Sequence, residues 1–446
     1  MPPRSRSKWL QGAILAVGVA IGTAPVPAAA AGDVGTAVSV VSADSVGVLR
    51  GTETEIPRHA SGLRWAGRTL LFPPYVAMRV ATWPLVKVAE AEDRAHALSR
   101  LASLLRFGYS RGPVTSTISF GYESSVGFSL VGIDATSEDW PTEGARLRLG
   151  GGYLSDTDNL LAFQWIGPPR KLQWSGLARL ENESQRPFHG LGPASPEEER
   201  EADRHRVLGE LSLTLRPGKA LQVTTTGFAR HEALSADAEN AAAFPELFAA
   251  ARRSDYVGAE AEVRWDTRRP GVFFPRGWFV RALGGTDHAT SSGDADYRHW
   301  LVEAHTRFPV WRRTRTLAFR VLAEGVVSDD PDAVPFPELV RLGGRHDLRG
   351  YGSNRFTDRT GLVLTAEYGY PVSTRMFGSL FVDWGTVAPR ADELRLADVD
   401  PSVGLGFAYV LGGPYGFRAH AAHGPEGFEF ALSSEVLFDR ESRRRR

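Results

Sequence analysis

Two periods divide the chain. Over residues 69–107 apolar side chains recur at helical spacing, with breaks at Pro73, Pro74 and Pro84. The second piece sets Val88, Ala91, Ala95, Leu98, Leu101, Ala102 and Leu105 on one face and Glu90, Asp93, Arg94 and Arg100 on the other. This predicts an amphipathic helical extension, suited to a membrane face, to plugging a pore or to capping a domain. From 114 to 438 the period becomes two. Val257, Ala259, Ala261, Val263 and Trp265 alternate with Glu260, Glu262, Arg264 and Asp266. Trp300, Val302, Ala304, Thr306 and Phe308 alternate with His299, Glu303, His305 and Arg307, and Leu317, Phe319, Val321 and Ala323 do so with Thr316, Arg320 and Glu324. Such alternation predicts strands with one apolar and one polar face. The apolar face can meet either a protein core or lipid, so the pattern alone predicts an all-β chain and no more.

Turn spacing narrows the choice. About sixteen candidate strands follow one another, an even number as bacterial outer-membrane barrels have. Short turns at 167–170, 216–219, 311–313, 371–373 and 412–414 alternate with long polar excursions at 183–204, 231–254, 328–357 and 387–400. Short turns at one end and long loops at the other are the polarity of a transmembrane barrel. Trp265, Phe273, Phe274, Trp278 and Trp300 fall near strand ends, where interfacial aromatics sit. The expected fold is therefore a 16-stranded antiparallel transmembrane β-barrel with a short N-terminal helical extension. Closure also removes the edges that so many strands would otherwise expose.

The N-terminus agrees with export. Arg4, Arg6 and Lys8 precede an apolar run from Ile14 to Ile21, and Ala28-Ala29-Ala30-Ala31 offers a small-residue cleavage site. That order is a secretory signal peptide. The expected organisation is a signal peptide over 1–31, a flexible linker over 32–68, the helical extension over 69–107, the barrel over 108–438 and a basic tail over 439–446. The 446 residues carry 52 basic and 52 acidic side chains and no cysteine. Zero net charge argues against nucleic acid as a partner, and the missing cysteines exclude disulfides, thiolate metal sites and a lipoprotein anchor.

The loop before the twelfth candidate strand contains Leu348-Arg349-Gly350-Tyr351. It resembles the V-R-G-F/Y motif of the BamA/TamA family of outer-membrane proteins. Three further matches follow the family's order. Trp265 to Gly277 looks like its D-T-R…F-F-P-x-x-G turn, the strand at 361–371 carries an inward-facing Glu367, and Phe381-Val382-Asp383-Trp384-Gly385 is similar to its F-x-D-x-G wall motif. Parity places Glu367 and Asp383 on the lumen face, with Leu364, Tyr368, Leu380, Val382 and Trp384 toward lipid. A loop folded into the lumen would bring Arg349 to those carboxylates, and bidentate Arg–carboxylate pairing is directional enough to fix one pose.

The last strand alternates Phe428, Phe430, Leu432, Val436 and Phe438 after Gly427, similar to the terminal assembly signal of outer-membrane proteins. The resemblance implies insertion, assembly or translocation of outer-membrane proteins or lipids. The implied partners are outer-membrane lipid and nascent outer-membrane proteins or other periplasmic clients, with no cofactor and no metal. The family's periplasmic POTRA domains have no evident counterpart in 32–113, which points to a reduced or specialised member. A passive pore or surface-antigen barrel, and a lipid-modifying outer-membrane enzyme, are the alternatives.

The enzyme alternative has little to stand on. Gly108-Tyr109-Ser110-Arg111-Gly112 fits G-x-S-x-G, but that elbow belongs on a turn from strand to helix, and here a helix precedes and a strand follows. His299, His305, His420 and His423 read as polar lining of a lumen. No catalytic residue is expected.

Overall fold

The computed structural model describes Trp83, Lys87 and residues 114–436, apart from 126, 155–157, 197–199, 236–252, 269–275, 292–294, 312–314, 332–333, 374–375, 400 and 413–414. The expected signal peptide, linker and basic tail lie outside the described residues. So do Phe438, the G-x-S-x-G sequence, most of the D-T-R…F-F-P turn and, but for Trp83 and Lys87, the helical extension.

The strands are β1 (Val114–Glu123), β2 (Gly127–Glu138), β3 (Arg146–Leu154), β4 (Asp158–Ile166), β5 (Leu172–Phe188), β6 (Arg200–Leu215), β7 (Leu221–Ser235), β8 (Arg253–Asp266) and β9 (Gly277–Ala289). They continue as β10 (Tyr297–Trp311), β11 (Arg315–Ser328), β12 (Val340–Leu342), β13 (Phe356–Asp358), β14 (Thr360–Pro371), β15 (Met376–Ala388), β16 (Ser402–Gly412), β17 (Tyr415–Gly424) and β18 (Gly427–Val436). All but β12 and β13 form one closed barrel in which every neighbour is antiparallel and β1 meets β18. The small strands β12 and β13 pair with each other inside the long β11–β14 connection.

The two-residue period sorts the side chains as a lumen requires. Along β6, Ala202, Arg204, Arg206, Leu208, Ser212 and Thr214 are buried, while Val207, Leu211 and Leu215 are exposed. Leu211 keeps 70% of its surface. On β8 the same split separates Ser254, Tyr256 and Glu262 from Val257, Val263 and Trp265. Apolar residues outside and charges inside invert the order of a water-soluble protein, and hydrocarbon is the solvent for which that inversion is stable.

The β11–β14 connection packs on the inner wall through two cores. Leu342, Leu348, Tyr351 and Phe356 of the β11–β14 connection share one core with Leu301, Leu322 and Val363 of the wall. A second core joins Val334, Phe336 and Leu339 of the same connection to Phe188, Tyr256 and Tyr297.

Several expectations change. The polar stretch 183–204 is half strand, because β5 runs to Phe188 and β6 begins at Arg200; at 231–254 only the ends are strand, since β7 reaches Ser235 and β8 begins at Arg253. These strands carry polar residues on both faces near their tips, which hides the alternation, and the β5–β6 ladder resumes after a register shift between Glu183 and Arg186. Nor do loop lengths alternate strictly. The β1–β2 and β17–β18 connections, at 124–126 and 425–426, are tight turns at the same end as the long loops. Tyr368 has the expected outward parity but is only 7% exposed, packed with Tyr370, Leu317 and Leu380 on the outer face.

Candidate functional site

The β11–β14 connection returns into the barrel and delivers Arg349 to the wall. Arg349 Nε donates to Asp383 Oδ2 at 2.6 Å and Nη2 to Asp383 Oδ1 at 2.8 Å, a two-pronged pair. Nη1 reaches Glu367 Oε2 at 3.2 Å, and the Arg349 backbone N–H points at Asp383 Oδ2 at 3.3 Å. The guanidinium also lies over the Phe381 ring, 3.3 Å from its centroid, where the negative face of the ring favours a cation. Asp383 is fully buried. Burial works against the Arg349 charge, but Asp383 and Glu367 outweigh it and raise the guanidinium pKa above its ordinary value.

The neighbouring motif residues explain how the backbone gets so close. A Cβ at Gly385 would stand 2.7 Å from Leu362 O and 3.0 Å from Leu348 Cδ2, so the absent side chain is the space that Leu348 fills. A Cβ at Gly350 would stand 2.5 Å from Ser402 Cβ and 2.9 Å from Gly424 N, so this glycine lies directly against β16 and β17. Tyr351 joins the core against the wall and packs edge-on against Phe356 at 5.0 Å. The structure thus brings Leu348, Arg349, Gly350, Tyr351, Glu367, Phe381, Asp383 and Gly385 together. It places Gly427, Phe428 and Phe430 elsewhere, on the β18 edge. There Phe428 is 80% exposed and Phe430 faces Tyr122 of β1 at 6.3 Å between centroids.

Sequence reading missed the rest of the constellation. Arg307 Nη2 holds the other Glu367 oxygen, Oε1, at 3.1 Å, so Glu367 is shared between wall and loop. Arg320, anchored to Glu303 at 2.7 Å, reaches the loop at His346 O, 3.3 Å, and at Asp347, 3.7 Å. The other limb of the loop uses the opposite polarity: loop Glu338 accepts from wall Arg230 at 3.0 Å and from the Tyr297 hydroxyl at 3.1 Å. The available signal was inward parity, since a charge on a lumen face away from water needs partners, and a loop folded into the lumen can supply some of them.

Glu338 gives the first testable consequence. Burial pushes its carboxyl up, but Arg230, Arg206 and Arg204 outweigh that and hold it well below the usual carboxylate range. A depressed folded-state value contributes stability that is complete above the unfolded value of about 4.3 and disappears only as pH falls through the folded one. Protection of the Val334, Phe336, Glu338 and Leu339 amides, corrected for intrinsic exchange rates, should therefore be the same at pH 7 and pH 5. Glu338→Gln should lose it already at pH 7, at a cost of about 1.5–3 kcal/mol for a charge-assisted hydrogen bond.

Three of the four histidines expected to line the lumen have definite neighbours. Carboxylates stand at both His299 ring nitrogens, Asp287 at 2.6 Å and Glu260 at 3.6 Å. His420 lies edge-on to Phe381, and His423 Nδ1 sits 3.0 Å from Gly427 O.

A closed antiparallel barrel, apolar outside, with a loop pinned in its lumen by an arginine, defines a class of outer-membrane protein. The Omp85 superfamily domain matches residues 143–414. The chain belongs to the Omp85 superfamily, as an outer-membrane barrel of the BamA/TamA type. Among solved structures it is similar in fold to BamA from Haemophilus ducreyi lacking POTRA domains 1–3, with a TM-score of 0.56 and 16% identity over 73% of this chain and 70% of that one. CdiB from Acinetobacter baumannii aligns with a TM-score of 0.49 at 11% identity, over 72% of this chain and 58% of that one. CdiB from Escherichia coli aligns with a TM-score of 0.49 at 13% identity, over 73% and 63%. No curated protein matches the chain.

Proposed function

We propose that this chain, exported with a cleaved leader to the outer membrane of a Gram-negative cell, is a sixteen-stranded transmembrane barrel. In this reading it aids insertion or translocation of client outer-membrane proteins at the seam between β1 and β18. One observation carries the reading. Most neighbouring strands pair along nearly their whole length, and β1 pairs with β2 from Val114 to Glu123. Against β18, among the described residues, β1 pairs only from Gly121 to Glu123, opposite Ser433 to Ala431.

Backbone N–H and C=O groups facing hydrocarbon without partners cost several kcal/mol each. A short seam is therefore the cheapest place to part the wall, and a parted strand edge is a template for another strand. An incoming client strand gains hydrogen bonds there that lipid cannot supply.

The test is folding of a urea-denatured outer-membrane barrel into liposomes that carry this protein. Folding should be faster than in empty liposomes, and the gain should vanish when a Tyr122→Cys/Leu432→Cys disulfide locks the seam. That pair is unambiguous, since the chain has no cysteine of its own. Equal folding rates with and without the protein would dismiss the insertion reading.

A further inference from the structure

The loop that carries Arg349 continues beyond the lumen wall and meets both edges of the seam. Ser353 N–H donates to Ser125 Oγ, in the β1–β2 turn, at 3.2 Å. A Cβ at Gly352 would lie 3.5 Å from Ser125 Cβ, so the backbone itself rests on that turn. Two residues later, Arg355 Nε donates to Glu426 Oε1, in the β17–β18 turn, at 2.7 Å. The remaining guanidinium nitrogens of Arg355 are taken by Ser195 in the β5–β6 loop, at Oγ 2.9 Å and at the carbonyl oxygen 2.8 Å.

The turns that Ser353 and Arg355 hold are the turns that flank the seam. At the same level the seam has its own bonds: Ser124 N–H to Phe430 O at 2.8 Å, Phe430 N–H to Ser124 Oγ at 2.8 Å, and the Ser124 hydroxyl to Glu429. The β1 edge and the β18 edge are thus fastened to one short segment, which Gly350 seats against β16 and β17 and Arg349 fixes to β14 and β15. The edges cannot separate at this end without breaking Ser353–Ser125 or Arg355–Glu426.

We propose that residues 350–355 are a strap across the β1–β18 seam, and that release of Arg355 from Glu426 or of Ser353 from Ser125 is a required step in parting it. The proposal rests on the reading of the seam as the working edge of the barrel. It adds the device that governs that edge: loop docking and seam closure are one event, because the strap begins at the residue next to Arg349. Of the two feet, Glu426 is the one that a charge-bearing segment at the outer face can compete for, since it sits on a solvent-exposed two-residue turn.

The test is amide exchange by mass spectrometry on the full chain, refolded into liposomes, for the native protein, Glu426→Gln and Ser125→Ala. Both positions are on exposed turns, so neither substitution touches the lumen core. Each should speed exchange of the seam peptides containing Ser124 and Phe430 by about tenfold or more, the size of losing one hydrogen bond to a charged group or the tie that shares its load. Peptides from β9 and β10, on the far wall, should be unchanged. Unchanged seam exchange in both variants overturns the strap. The insertion reading fails on a different result: a seam that loosens in the variants while client folding stays at the rate of empty liposomes leaves the strap standing and removes the function assigned to the edge.

Discussion

Arg349→Ala is expected to lower the unfolding free energy of the barrel by about 3–5 kcal/mol, the cost of leaving a buried charge without its partner. The estimate applies because both sides are sheltered: Asp383 is fully buried and the Arg349 side chain is 13% exposed. Glu367 keeps Arg307 when Arg349 is lost, so its charge remains balanced. Asp383 is the carboxylate stranded by the change. Arg349→Lys should fall between, since an ammonium keeps the charge but cannot reproduce the two parallel bonds or spread over the Phe381 ring. Urea unfolding in liposomes, followed by the mobility of unheated samples on gels, gives the free energy. Proteolysis of the loop reports its docking. An unchanged urea midpoint together with unchanged loop protection would refute the lock.

The two ends of that pair were legible in the sequence, for different reasons. Asp383 and Glu367 follow from parity: a carboxylate at an inward position of a strand whose other face is Val382 and Trp384 belongs to a lumen. Arg349 follows only from resemblance, because nothing in the spacing of a loop says where its tip will rest. The strand limits were harder. Alternation reports a strand only while its two faces meet different surroundings, and the tips of β5 to β8 carry polar residues on both sides. The ladder continues there on backbone hydrogen bonds that no side-chain pattern records.

The contacts that couple the loop to the seam were out of reach for another reason. Ser353 and Ser125 are 228 positions apart in the chain, and closure of the barrel is what makes them neighbours. Glu338 and Arg230 are separated by 108. Each of these residues reads as an ordinary solvated polar group until the barrel has been closed, the register of every hairpin set and the loop folded inward. Charge at an inward position marks that a partner exists; only the register tells which one.

Gly350→Ala tests the docking without touching a charge. The added methyl would meet Ser402 Cβ at 2.5 Å, Gly424 N at 2.9 Å and the His423 carbonyl carbon at 3.0 Å, and two of those three atoms are backbone in a paired strand. A flexible side chain could swing aside, but β17 cannot move without breaking its ladders to β16 and β18. The loop must retreat instead, which should cost about 1–3 kcal/mol, the usual range for overpacking a close contact. Gly209→Ala is the internal control: nothing lies within 4 Å of its new Cβ, and replacing glycine inside a strand should be neutral or stabilise by up to about 1 kcal/mol. The double variant Arg349→Ala/Gly350→Ala separates steric from electrostatic loss. If both act by undocking the same segment, the second substitution removes contacts that the first has already released, and the combined loss is well below the sum of the two. Full additivity would mean that the guanidinium stays paired while the backbone next to it is pushed off the wall. With one peptide unit between Arg349 and the Gly350 contact, the chain has no slack to allow that.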